Sequence, residues 1–185
     1  LRQMAQFELV KRAAEGKAAL LAIAKDASLP TPSRLHGIWG LGQLLRQQQA
    51  DVIEPLIELS RDADASLRAN AARVLGDASA EAARGRLLEM LADADAQVRS
   101  LASIALSRVA KPGDADAVKA LYQQVAATTT VDPVMRHSLL TALNRLSTEA
   151  DAVAHATDAN REARLMALLC LRRLGSADLA RFLND

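Results

Sequence analysis

The most regular feature of the chain is an arginine followed three residues later by a residue that is usually small and seven residues later by a leucine. The pattern reads Arg34-Gly37-Leu41, Arg68-Ala71-Leu75, Arg99-Ala102-Leu106 and Arg164-Ala167-Leu171, with Arg136-Leu139-Leu143 and Arg2-Ala5-Leu9 as variants. These offsets place all three residues on one face of an α-helix. The pattern therefore predicts helices, termed B, at 33–46, 66–77, 96–110, 134–147 and 161–174, and a lone helix of the same type at 2–13.

Apolar stripes between the B helices predict partner helices, termed A, at 16–26, 51–61, 80–92, 115–127 and 150–157. Pro55 suits only a first turn, so the second of these is expected to start near Glu54. The fold class is thus all-α, a superhelix of about five helical hairpins with unpaired helices at both ends.

The spacing of the pattern divides the chain into one array over 1–185. It consists of the lone helix 2–13, repeats at about 14–48, 49–78, 79–111, 112–148 and 149–175, and a truncated helix at 176–185. Leu179, Phe182 and Leu183 of that last helix would face either nothing or a following repeat. We therefore expect the chain to be a segment of a longer protein.

An aspartate precedes three of the pattern arginines by six residues: Asp62 before Arg68, Asp93 before Arg99 and Asp158 before Arg164. At this position a carboxylate can cap the following helix. It can also pair with an arginine of its own or the adjoining repeat, and a solvated loop aspartate is the simpler alternative. The recurrence favours an Asp–Arg ladder between repeats, which would include Arg34 and Arg136 as well.

The combined signature Asp-x5-Arg-x2-Ala-x3-Leu, clearest at Asp62…Leu75 and Asp93…Leu106, resembles HEAT repeats over nearly the whole chain, from Arg2 to Leu174. The resemblance implies a right-handed α-solenoid, also described as armadillo-like. Its A helices would be convex and its B helices would line a concave surface used for partners. It is specific for architecture and nearly silent on function.

A narrower resemblance comes from Met4-Ala5-Gln6-Phe7-Glu8-Leu9 and from the stretch Arg34–Gly42. Both are similar to HEAT segments of large exported proteins of planctomycete-type bacteria, which also carry dehydrogenase-like propeller and c-type haem domains. This chain has no Cys-x-x-Cys-His motif, so it would be only the linking solenoid of such a protein. The resemblance implies a periplasmic or exported location.

Composition narrows the function further. Half of the residues are apolar and only 2% are aromatic, and the dominant alanine and leucine allow close helix packing. Lys and Arg number 23 and Asp and Glu number 22, a balance that gives no reason to expect a nucleic-acid partner. No apolar run is long enough for membrane insertion.

The reactive residues are scattered. His36, His137 and His155 lie in different repeats without metal-ligand spacing, and the single Cys170 sits at the edge of a core face, where an inert thiol is expected. We predict no catalytic residues, no metal site and no cofactor.

The remaining candidate is the outward side of the B helices, for which offsets 1, 5 and 8 from the arginine were considered. It would bind a partner through Trp39, Arg73, Ile104, His137, Thr141, Leu169 and Arg172. Gly42 and Gly76 also lie at these outward offsets. The alternative is that the residues at these offsets pack on the neighbouring repeat.

These features favour a non-catalytic protein-interaction or scaffolding module whose partner is another protein or other domains of the parent chain. The alternative is an accessory lyase or chaperone for a bilin or haem group, which needs a polar pocket bearing His or Arg. A DNA-binding glycosylase with a HEAT-like fold is a further alternative, and it needs a basic groove with aromatic side chains.

Overall fold

Several of the long helices begin at residues whose side chains accept hydrogen bonds from the first turn. Asp64 accepts from the backbone N–H of Ser66, Asp95 from Gln97 and Asn160 from Glu162, each at 2.8 Å. Such caps satisfy N–H groups that have no acceptor inside the helix. The computed structural model describes residues 1–127 and 132–182, and over these ranges all regular structure is helical.

The B helices lie close to the predicted positions. The lone helix is α1 (Arg2–Lys11), and the others are α3 (Thr31–Arg46), α5 (Ala65–Asp77), α7 (Ala96–Val109), α9 (Pro133–Leu146) and α11 (Arg161–Leu174). These six helices pack side by side in chain order, and we call them the B row.

The A helices α2 (Ala13–Lys25), α4 (Ile53–Leu59), α6 (Arg84–Met90), α8 (Ala115–Ala127) and α10 (Glu149–Ala154) each pack on the B helix that follows them. We call these five the A row.

Two of the A helices are shorter than predicted. Helix α4 follows a 3-10 turn at Ala50–Val52, and α6 follows another at Glu81–Ala83. Pro55 is the third residue of α4, where its missing N–H would have had no acceptor inside the helix. Helix α10 also ends earlier than expected, at Ala154.

One continuous apolar cluster runs from Leu20 to Leu171 between the two rows. The leucines seven residues after each pattern arginine form its centre and are fully buried: Leu41, Leu75, Leu106, Leu143 and Leu171. The all-α solenoid predicted from the sequence is therefore confirmed.

The two ends of the array differ. Helix α1 packs on α2 and α3 but leaves Leu1, Met4 and Phe7 exposed. At the other end Ala177–Phe182 forms a 3-10 segment in which Leu179 and Phe182 are half-buried and pack against the core. Residues 183–185 of the predicted last helix, Leu183 among them, lie outside the described residues.

Candidate interaction surface

Arg68 ties three segments of the chain together. Its Nε and Nη2 atoms donate to the two carboxylate oxygens of Asp93, both at 2.8 Å, while Nη1 donates to the backbone carbonyls of Asp62 and Ala63 at 2.9 Å. The bond from Arg68 holds the pKa of Asp93 below its ordinary value, against the opposing effect of burial. The same bond raises the pKa of the Arg68 guanidinium. A two-pronged, charge-assisted pair of this kind fixes the register between the repeats.

The arrangement recurs with variations. Arg34 pairs with Asp62, and Arg136 pairs with Glu162 at 2.8 and 3.1 Å, so a glutamate on α11 replaces the loop aspartate there. Arg99 and Arg164 donate to the carbonyls of their own loops, at Asp93 and Asp158. The amide oxygen of Gln124, turned toward Arg99, accepts from its Nε at 3.2 Å. Arg68 thus binds both its own loop and a carboxylate of the next repeat, Arg34 and Arg136 bind the carboxylate, and Arg99 and Arg164 bind their own loops.

Asp62, Asp93 and Asp158 do not cap helices, which corrects one of the two expected roles. Each accepts from the backbone N–H two residues ahead, at 2.8–2.9 Å, and that later residue is the cap. The loop aspartate shapes the turn and leaves its second oxygen for the arginine or, in Asp158, for Nδ1 of His155 at 3.2 Å. In the sequence, each of these loops reads Asp-x-Asp or Asp-x-Asn. The second Asp or Asn was the signal that the helix cap is a residue other than the first Asp.

The outward side of the B row is narrower than predicted. Offset 8 is buried at Gly42, Gly76 and Ser107, and offset 1 is buried at Ala69 and Ser100. A Cβ on Gly42 would lie 2.8 Å from Val74, and one on Gly76 would lie 2.5 Å from Ala105. These positions face the next B helix, because a helix in the middle of a row has neighbours on both flanks as well as an A helix behind it.

The accessible stripe follows offset 5 and the residue four positions later. Arg73 is exposed at offset 5, whereas Trp39, Ile104, Thr141 and Leu169 are half-buried there. Among the other predicted residues, His137 and Arg172 are exposed. The offset-9 residues Arg108, Arg145 and Arg173 are exposed too, although the sequence pattern predicted offset 8 as the outward position.

Trp39 is engaged within the fold. Its indole N–H donates to Asn70 on α5 at 2.9 Å, and its ring meets the edge of His36 at a centroid distance of 5.0 Å. His36 Nδ1 in turn lies 2.7 Å from the side-chain oxygen of Gln6 on α1, and burial lowers the pKa of His36. The contacts Gln6–His36–Trp39–Asn70 link the three B helices α1, α3 and α5. Trp39 therefore packs on the neighbouring repeat, which is the alternative to partner binding.

A groove of about 330 Å³ lies between α8 and the loop after α10, lined by Tyr122, His155, Asp158 and Lys119 among others. The rings of Tyr122 and His155 stack with centroids 3.6 Å apart. The Tyr122 hydroxyl is buried without a hydrogen-bond partner among the described residues, and desolvation raises its pKa. Burial raises the pKa of the nearby Cys170 thiol to about 11, so this sulfur is not a thiolate at neutral pH.

Residues 1–127 and 132–182 also offer neither a metal site nor a membrane span. No grouping of His, Cys, Asp or Glu side chains there is suited to a metal ion, and none of the described helices combines the length and apolar character that a membrane span requires.

Comparison with known proteins agrees with this architecture. The family model for HEAT repeats matches residues 17–107 and, in a second overlapping placement, residues 53–144. No curated protein sequence matches the chain significantly.

Several solved structures share the fold. The complex of CpcE and CpcF of phycocyanin lyase from Nostoc sp. PCC7120 contains a chain with a TM-score of 0.64 and 22% identity; the match covers 85% of this chain but only 64% of that one. An engineered protein matches at a TM-score of 0.58, with 17% identity and coverages of 90% and 83%. A designed armadillo repeat protein matches at 0.57, with 16% identity and coverages of 89% and 85%. At these identities the likeness concerns the fold alone.

Proposed function

The chain belongs to the HEAT-repeat family, and we propose that it is a non-catalytic protein-interaction or scaffolding module that binds its partner through the accessible stripe of the B row. The observation that carries the proposal is that each B helix uses different residues for packing and for its accessible side. The pattern arginine and the small residues are used by the fold, whereas Arg73, Ile104, Thr141 and Leu169 remain partly or fully accessible in one row. Mixed apolar and arginine side chains at a continuous surface are typical of protein interfaces.

Site-specific photo-crosslinking tests this proposal. A photoreactive phenylalanine analogue replaces Ile104 on the B row or, as the matched control, Lys119 on the A row. We expect a discrete adduct with one protein or one domain of the parent chain from position 104 and none from position 119. Equal adducts from both positions, or none from position 104 in extracts of the producing cells, would contradict binding through the B row.

A second candidate is an accessory role in attaching or carrying a bilin or haem. What supports it is the similarity to the phycocyanin lyase complex together with the groove that holds Tyr122, His155 and Lys119. Cys170 is too well buried to attach a pigment, so any binding would be non-covalent.

Titration with biliverdin or haem, followed by absorbance, tests this role. Under this candidate the absorbance band shifts with the native chain and with His137→Ala, whose histidine lies outside the groove, but not with His155→Ala. An absent shift, or one that His155→Ala leaves unchanged, would exclude the groove.

The narrower resemblance to linking solenoids of exported planctomycete-type proteins stays a prediction about the parent. The reading frame around the coding sequence tests it directly. Under this prediction a propeller-type domain and a Cys-x-x-Cys-His haem domain flank the array, and their absence from the frame would dismiss it.

A further inference from the structure

The near-neutral chain has its charges sorted between the two rows. The carboxylates within the six B-row helices are Glu8, Asp77 and Glu162, and Glu162 is already paired with Arg136. The accessible side and ends of the same helices carry arginines: Arg46, Arg73, Arg108, Arg145, Arg172 and Arg173. A net charge of +1 thus conceals a basic surface on one side of the molecule.

The helix dipole does not account for this sorting. A cation in the last turn stabilises any helix, and Arg46, Arg108, Arg145, Arg172 and Arg173 all stand in such turns. In the A row only α2 has a basic residue in its last turn, Lys25, whereas α4, α6, α8 and α10 have none there. Four A-row helices thus have no basic last turn, and Arg73 stands outside the last turn of α5, so the dipole alone does not explain the excess of arginine on the B row.

The helices α7, α9 and α11 present two parallel lines of side chains. Ile104, Thr141 and Leu169 form a mainly apolar line at offset 5. Four residues later, about 6 Å along each helix axis, stands a basic line of Arg108, Arg145 and Arg173. Arg108 pairs with Asp77, but Arg145, Arg172 and Arg173 form no ion pair with any described residue. The positive charge at the C-terminal end of the array is therefore not neutralised within the described fold.

Resting on the proposed function, we propose that this face of α7, α9 and α11 binds an extended acidic segment of a protein. Neighbouring packed helices lie about 8–10 Å apart, and an extended or polyproline-type chain advances about 3.1–3.4 Å per residue. A polyproline-type segment has three residues per turn, so every third side chain points to the same side. Such a segment, crossing the row at right angles, therefore places every third side chain opposite an arginine. Carboxylates at that spacing meet Arg108, Arg145 and Arg173, and intervening apolar side chains cover Ile104 and Leu169.

A nucleic acid fits the same face less well. Single strands gain affinity by stacking bases on aromatic rings, and α7, α9 and α11 contain no Phe, Tyr or Trp. Trp39 lies on α3 and already donates to Asn70. The half-buried Ile104 and Leu169 between the arginines favour a polypeptide.

Fluorescence anisotropy with a labelled synthetic peptide tests the proposal. The probe has about ten residues, with aspartate at every third position and leucine beside each aspartate. We expect binding at low salt that weakens as salt rises, and about tenfold weaker binding by Arg145→Gln/Arg173→Gln. The charge-matched control is Lys25→Gln/Arg161→Gln, whose exposed side chains lie on the A row and at the far end of α11. The control is expected to bind like the native chain, within about twofold.

Three results would overturn the proposal: no binding of the periodic peptide at low salt, equal losses in the two double variants, or tighter binding of a single-stranded oligonucleotide of equal charge. The thermal unfolding of Arg145→Gln/Arg173→Gln is measured as well. An unchanged unfolding temperature shows that weaker binding by this variant is not caused by a loss of stability. If crosslinking from position 104 captures a segment without carboxylates, the acidic partner is wrong although the B row remains the binding side. If neither method detects binding, both proposals fail.

Discussion

Two junctions between B helices, α5 with α7 and α9 with α11, each contain an ion pair between a pattern arginine and a carboxylate of the next repeat. The two ion pairs differ in how far they are buried. In the first, Arg68 and the loop carboxylate Asp93 are both largely buried, with side chains 16% and 11% exposed. In the second, the carboxylate is Glu162, located on the helix itself, and Arg136 is 39% exposed. The shielded pair is expected to contribute more to stability, because solvent screens an exposed one.

The helix contacts differ in the same sense. Gly76 allows α7 to approach α5 so closely that a Cβ there would lie 2.5 Å from both Cα and Cβ of Ala105. The equivalent position on α9 is Asn144, whose buried side-chain oxygen has no hydrogen-bond partner among the described residues. Arg73 and Arg108 share Asp77 at the first junction, whereas Arg145 and Arg172 at the second form no ion pair within the part of the chain that the structure describes. One junction is packed and charge-compensated; the other retains polar groups that a partner can use.

The largest expected effect is that of Gly76→Val. The new side chain overlaps the backbone of α7, so we expect the free energy of unfolding to fall by about 3 kcal/mol or more, measured by urea denaturation. Gly85→Ala is the matched control, because a Cβ at Gly85 meets no atom within 4 Å. The control is expected to be neutral or stabilising by up to about 1 kcal/mol. A Gly76→Val chain as stable as the native one would show that the two helices are farther apart than described.

Removing the charge of Asp93 is expected to cost less. Asp93→Asn keeps the shape of the loop but leaves the guanidinium of Arg68 without its counter-charge, at a cost of about 2 kcal/mol. Glu162→Gln, the same change at the more exposed pair, is expected to cost about 0.5 kcal/mol. Urea denaturation of the two variants side by side measures the difference. Equal losses would remove the energetic distinction between the junctions.

The pH dependence of stability tests the arginine–carboxylate pairs in the native chain. The hydrogen bond from Arg68 lowers the pKa of Asp93 from its ordinary 3.8, and that from Arg84 does the same to the pKa of Asp114. A carboxyl with a lowered folded pKa stabilises the fold above its unfolded pKa and loses that contribution as pH falls through the folded value. Stability is therefore expected to fall below about pH 4, and to fall less steeply in Asp93→Asn. Parallel pH profiles for the native and variant chains would contradict this assignment.

Thiol labelling reports the smallest effect, local opening without global unfolding. Cys170 on α11 is 1% exposed and Ser103 on α7 is fully buried. In the native chain Cys170 is expected to react slowly with a maleimide, and in Ser103→Cys/Cys170→Ser the new thiol is expected to react more slowly still. Labelling rates under native conditions measure both. Faster labelling at position 103 than at position 170 would contradict the expectation that the junction between α5 and α7 is the more stable one.

Periodicity predicted much of the fold. The B helices begin and end within about two residues of the predicted positions. A leucine seven residues after each pattern arginine marks the buried face, and a capping Asp or Asn marks the start of α5, α7, α9 and α11. The A helices were less well bounded. At α4 and α6 a 3-10 turn takes the place of the first residues, and at α10 only Val153 supplies a large apolar anchor.

The candidate surface was predicted in part. Arg73, Ile104, Thr141 and Leu169 are accessible or half-buried in one row, whereas Gly42 and Gly76, considered beside them, are buried between helices. A helical wheel drawn for one isolated helix assigns a single side to the core. A B helix inside the row, however, packs against a B helix on each flank and against an A helix. The wheel therefore overestimated the outward arc and missed Arg108, Arg145 and Arg173.

The sequence by itself determined the helices, their repeat and the apolar spine, because these depend on contacts between residues a few positions apart or on a period that recurs. Only the tertiary structure decided which carboxylate each arginine binds, since Arg68 and Asp93 are brought together by the stacking of repeats. It also decided that a balanced set of charges is divided between two sides. Net charge is a sum over the chain, whereas a partner meets the charges of one surface.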